Sequence, residues 1–124
     1  MFRKKRSSKI LGSKGEGLAS DFFQSLGYDL VQRNFRTRFG EIDLILRKGQ
    51  EIVFVEVKTR KDRGFGRPEE SVTEVKQQTI RRCAEAWLQK EGLLDGPYQI
   101  RFDVLGIILR DGRPPEFTHL PFAF

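Results

Sequence analysis

Cysteine, histidine and tryptophan each occur once in the 124 residues. The lone thiol, Cys83, excludes an intrachain disulfide and a zinc site built from several thiolates, and a cytoplasmic, reducing setting is expected. Long apolar runs are also missing. No stretch approaches the roughly 18 apolar residues that bilayer spanning requires, and the charged opening Met1 to Lys9 leads into no apolar signal-peptide core. Neither a membrane partner nor export is expected. There is no Walker lysine loop either: Gly64-Phe65-Gly66 lacks the strand, loop and helix that a nucleotide phosphate needs.

What the chain does have is apolar content of 38% with eleven Phe, enough for one core in a chain of single-domain size. Its charge is unevenly placed. The first 15 residues hold six cations, Arg3, Lys4, Lys5, Arg6, Lys9 and Lys14, and no acid, so the whole net charge of +6 sits there. We therefore divide the chain into a basic flexible head over 1–11 and a single domain over 12–124. A basic, Ser-containing arm suits phosphate attraction, so a nucleic acid is the expected partner, DNA before RNA.

Ser13 and Glu16 have capping-box spacing, and Leu18, Ala19, Phe22, Phe23 and Leu26 follow as a helical stripe ending at Gly27, which predicts a helix over 13–26. An extended segment from Tyr28 to Phe35 leads to a strand over Glu41 to Arg47 and, after Lys48 and Gly49, a second strand ending at Lys58. Ser71 and Glu74 repeat the capping spacing and open a helix over 72–91. Strands over 98–109 and 116–120 close the chain. The order α-β-β-β-α-β-β predicts an α/β mixed sheet flanked by helices, the second helix crossing between strands.

The chemistry concentrates in Gly40-Glu41-Ile42-Asp43-Leu44 and Val55-Glu56-Val57-Lys58. Alternation puts Glu56 and Lys58 on one strand face, and an even-length turn brings Asp43 to the same face. A two-residue Lys48-Gly49 loop makes Asp43 diagonal to Glu56, whereas a four-residue loop opposes them directly. Facing carboxylates repel unless a cation or proton compensates. Mg²⁺ or Mn²⁺ is therefore the expected cofactor, with Asp43, Glu56 and the Val57 carbonyl as oxygen ligands. Lys58 is expected as a cation that orients water or stabilises charge on phosphate, and Glu16 as a remote supporting acid as well as a local cap. Glu41 is a further candidate at the rim.

Gly15-Glu16, Arg33-Asn34, the Gly40 to Leu44 and Phe54 to Lys58 segments, and Arg101-Phe102-Asp103-Val104 occur in an order that resembles the small bacterial UPF0102 family, related in fold to archaeal Holliday-junction resolvases. The resemblance spans Gly12 to Leu120. It implies a restriction-endonuclease-like fold of the PD-(D/E)xK superfamily, with Glu16, Asp43, Glu56 and Lys58 at the catalytic positions and Ile42 where a proline is common. The implied activity is a divalent-metal-dependent endonuclease on branched or repair-intermediate DNA, and the alternative is a non-catalytic nucleic-acid-binding module. Resolution of a four-way junction further implies a homodimer.

Gln77 resembles a helix position used near phosphate in related folds. Arg60, Lys61, Arg63 and Arg67 form a basic loop expected over 59–68 and, with the head residues Arg3, Lys4, Lys5, Arg6 and Lys9, are the expected phosphate contacts. Arg101 and Asp103 are expected as an edge ion pair. Cys83, Trp87 and His119 are expected to pack.

Overall fold

The computed structural model describes the backbone of residues 2–61 and 72–124, and the side chains of 11–61 and 72–124. Helix α1 spans Phe2–Ser25 and is followed by β1 (Asp29–Thr37), β2 (Gly40–Lys48), β3 (Glu51–Arg60), α2 (Glu74–Lys90), β4 (Gln99–Ile108) and β5 (Glu116–Leu120). The five strands form one sheet in the order β1-β2-β3-β4-β5. All neighbours are antiparallel except β3 and β4, which are parallel because α2 carries the chain back across one face. The mixed α/β sheet flanked by two helices matches the expected class and has a restriction-endonuclease-like arrangement.

Both capping boxes are displaced. Residues 2–11 contain neither Gly nor Pro, so α1 runs through them, and Ser13 lies inside the helix instead of capping it. The local cap predicted for Glu16 therefore does not form. At α2 the cap is Thr73, whose Oγ1 accepts from the Lys76 N–H at 3.2 Å, whereas Ser71 lies outside the described residues. Strand β3 also runs two residues past Lys58, so Thr59 and Arg60 are strand residues and not loop.

Each face of the sheet carries one core. Ala19 and Phe23 of α1 pack on Leu44, Leu46, Val53, Val55, Leu105 and Ile107. On the other face Ile80, Cys83, Ala84, Trp87 and Leu88 of α2 pack on Ile45, Ile52, Phe54 and Phe102. Covered on both faces, β2 is buried continuously from Ile42 to Leu46. Ile42 joins Phe35 in the α2-side core and not Leu44 and Leu46, so the simple alternation expected for β2 breaks just before Asp43. Cys83 and Trp87 do pack, and each also has a polar contact: Cys83 Sγ lies 3.2 Å from Thr37 Oγ1, and Trp87 Nε1 donates to Gln32 Oε1 at 3.0 Å. No helix among the described residues is long and apolar enough to cross a membrane.

Candidate functional site

The β2–β3 hairpin sets the position of the acids. Lys48 pairs with Glu51 and Arg47 with Ile52 around a Gly49-Gln50 turn, and Gly49 takes a φ of 60° that favours glycine. This is the register of direct opposition. The ladder ends at Leu44 opposite Val55, and Asp43 and Glu56 are the next positions along. There the strands part: the Val57 N–H donates at 2.7 Å to Asp43 Oδ2 instead of to a backbone carbonyl. Asp43 and Glu56 are both buried at this fork, 8% and 6% exposed.

Helix α1 closes one side of the fork. A Cβ on Gly15 would overlap Thr59 Oγ1, so glycine is what lets the helix approach β3 closely enough to bring Glu16 to the opening. Glu16, Glu41, Asp43, Glu56, Val57 and Lys58 line one cavity of about 380 Å³. They do not converge on a point. Among the described residues no group of three or more His, Cys, Asp or Glu side chains is placed to hold a metal together. Glu16 Oε1 instead lies 3.8 Å from Arg33 Nη2, and Glu41 Oε2 accepts from Arg36 Nε at 2.9 Å.

The charge at the fork is incompletely compensated. Burial, then the facing Glu56, pushes the Asp43 carboxyl up to about 8, against the pull of the Val57 N–H. Burial also pushes Glu56 above its ordinary value, opposed by Lys76 and Lys58. Both cations stand off: Lys58 Nζ is 3.9 Å from Glu56 Oε1 and Lys76 Nζ is 3.8 Å from Oε2. The fork therefore offers hard carboxyl oxygens whose proton a divalent cation would displace, which is the donor chemistry that Mg²⁺ and Mn²⁺ take.

Two neighbours stand outside the site residues expected from the sequence. Lys76 has a readable signal, because it shares the helical stripe of Val72 and Ile80 and so places a cation on a face that is otherwise apolar. Arg33 is marked in the sequence only through the Arg33-Asn34 pair of the family resemblance, and Asn34 takes a φ of 53°. Gln77 does not line the cavity; its Nε2 donates to the Val72 carbonyl at 3.4 Å. Arg60 and Lys61 are described at the end of β3, whereas the side chains of Arg3, Lys4, Lys5, Arg6 and Lys9, and all of Arg63 and Arg67, lie outside the described residues.

Outside the acidic cavity, Arg101 and Asp103 form more than an edge pair. Arg101 Nε and Nη2 donate to the two Asp103 oxygens at 2.8 Å each, His119 Nε2 lies 2.7 Å from Oδ2, and the Phe122 N–H donates to Oδ1 at 3.2 Å. Arg101 Nη1 also donates to Glu51 Oε1 at 3.0 Å, which Tyr28 shares at 2.8 Å. Burial pushes the Asp103 carboxyl up, but the bonds from His119 and Arg101 outweigh it and hold the group below its ordinary value. His119 packs as expected, edge-on to Phe22 and Phe23.

The fold and this fork define an α/β protein with a restriction-endonuclease-like sheet and an acidic cavity at the strand ends. The model of the family described as "Uncharacterised protein family UPF0102" matches residues 15–107, and the chain belongs to that family. A UPF0102 protein of Nocardia farcinica is 49% identical over 117 residues, covering 94% of this chain and 90% of its own length. UPF0102 proteins of Geotalea uraniireducens and Geobacter sulfurreducens are 47% and 44% identical, again over 94% of this chain, covering 91% and 90% of theirs.

Proposed function

We propose that this protein binds nucleic acid, DNA in preference to RNA, and lays a phosphodiester across the cavity at the β2–β3 fork as a repair-associated module. The observation that carries the reading is the buried Asp43–Glu56 pair facing across the fork with Lys58 and Lys76 at its rim. Two buried carboxylates repel a phosphodiester by themselves, so a divalent cation from outside would stand between them and the phosphate, with Lys58 and Lys76 beside it. The head cations and Arg60, Lys61, Arg63 and Arg67 supply the attraction to phosphate. The setting is the cytoplasm, the fold's relatives are the Holliday-junction resolvases and the PD-(D/E)xK superfamily, and a homodimer presents two cavities to a branched substrate.

A second reading, a divalent-metal-dependent endonuclease, is favoured by the direct opposition of Asp43 and Glu56 beside Lys58. Asp43, Glu56 and the Val57 carbonyl would hold Mg²⁺ or Mn²⁺, which supplies positive charge to a phosphate oxygen and acidifies water when bound. Lys58 orients water or balances charge on the phosphate, with Glu16 as the supporting acid and Glu41 and Gln77 at the margin. Binding ranks first because Glu16 and Glu41 are each directed to an arginine.

The test is a binding and cleavage screen on linear, flap and four-way DNA over a salt series with Mg²⁺ or Mn²⁺. Asp43→Ala, Glu56→Ala and Lys58→Ala are run alongside, their folding checked separately. Salt-sensitive binding without cleavage selects the module. Metal-dependent cleavage lost in all three folded variants selects the enzyme, and an absence of binding at low salt sinks both. Light scattering with and without the four-way probe tests the dimer.

A further inference from the structure

A second cavity of about 520 Å³ opens beside the acidic one, and Leu11 of α1 lines both. Its charge is of the other sign. Lys14 of α1, Lys61 just past β3, and Arg110 and Arg113 of the β4–β5 connection line it, with Asp111 as the one acid among the described lining residues. Arg110 Nη1 is held at 2.9 Å from Glu116 Oε2, which fixes one guanidinium in place. The Leu109 N–H donates to the Arg60 carbonyl at 2.8 Å, joining the end of β4 to the end of β3. The cavity thus sits at the carboxyl ends of the parallel pair, where open α/β sheets take their ligands.

The two cavities are connected by sequence as well as by space. Lys61 follows Lys58 by three residues on the exit of β3, and Lys14 precedes Glu16 by two on α1. An anion crossing Lys58 toward α1 therefore meets Lys61 and Lys14 next. Among the described residues, four cations stand against Asp111 and the Glu116 that holds Arg110, so positive charge is in excess and an anion relieves its repulsion. Arginine and lysine together suit a phosphodiester, arginine through its planar fork and lysine as a point charge.

We propose that this cavity is a phosphate-binding subsite that clamps the nucleic-acid backbone to one side of the phosphodiester held at the acidic fork. The subsite rests on the nucleic-acid reading above and names a surface that reading does not need. Lys14→Gln with Arg113→Gln should weaken binding of the four-way DNA probe at least tenfold at low salt. It should also flatten the slope of log K against log[salt] by about 2, one counterion per lost phosphate contact. Arg47→Gln with Lys90→Gln, at the other end of the sheet, removes the same charge outside the cavity and should change affinity less than threefold. Anisotropy on the full chain reads all three proteins, with circular dichroism confirming their folding. Equal losses in the two double variants, while the parent binds, overturn the subsite and leave the nucleic-acid reading standing. A parent that binds no probe at any salt overturns both.

Discussion

Two buried carboxylate clusters lie on the same sheet and are treated in opposite ways by the fold. Asp103 is fully buried and receives two bonds from Arg101, one contact from His119 and one backbone N–H. Asp43 and Glu56 are as deeply placed but face each other, with one N–H and two lysines nearly 4 Å away. The first carboxyl is held below its ordinary range and the second is pushed far above it. A cluster completed from within has a structural role, and one left short of positive charge is where a ligand gains most by binding.

The largest effect should come from the completed cluster. Asp103→Ala leaves the buried Arg101 with Glu51 as its remaining carboxylate partner and should cost about 3–5 kcal/mol, read by urea denaturation. Its pH dependence follows from the depressed carboxyl: the native state binds fewer protons than the unfolded one. The contribution of Asp103 is therefore present above the unfolded value of about 3.9 and is lost as pH falls below it. Asp103→Asn should flatten the acid limb of the stability curve.

At the fork the sign reverses. With Asp43 raised to about 8, the native state binds more protons than the unfolded one between the two values, so stability falls as pH rises through that window. Asp43→Asn keeps an acceptor for the Val57 N–H and removes the charge. It should stabilise the protein at pH 8 by on the order of 2 kcal/mol and reduce the fall in stability from pH 5 to 8, the remainder belonging to Glu56, again by denaturation. A variant less stable than its parent at pH 8 would mean that Asp43 is as well compensated as Asp103, and the contrast between the clusters would fail.

A smaller effect is expected where α1 meets β3. Gly15→Ala gains about 1 kcal/mol of helix propensity but collides with Thr59 Oγ1 and should be destabilising by about 1 kcal/mol overall. Adding Thr59→Ala removes the hydroxyl but keeps a Cβ at 2.9 Å, and should recover part of the loss. Persistence of the whole loss in the double variant would show that the close approach does not govern the seat of Glu16.

The difference between the clusters also explains what the sequence made legible. Strand alternation and the crossover helix gave the element order and the mixed sheet, because those signals are local and repeated. The meeting of Asp43 with Glu56 was readable because one short turn joins their strands, although only the structure distinguishes a Gly49-Gln50 turn from the Lys48-Gly49 alternative. The Asp103 cluster was read as a bare pair because its remaining partners are remote: His119 is 16 residues away, and Glu51 lies 50 residues from Arg101. Both caps were misplaced because S-x-x-E spacing marks a helix start only where the preceding chain leaves helical geometry. Before Ser13 it does not, and beside Ser71 a second acceptor, Thr73, competes.

The most direct test of the contrast is a calorimetric titration of Mn²⁺ at pH 7.5 into the parent, Asp43→Asn and a conservative variant of the other cluster, His119→Gln. The account predicts one saturable site in the parent and in His119→Gln, lost or weakened at least tenfold in Asp43→Asn. Binding that survives Asp43→Asn unchanged, or no binding by a folded parent, would contradict the assignment of the fork as the place where this protein takes positive charge from outside.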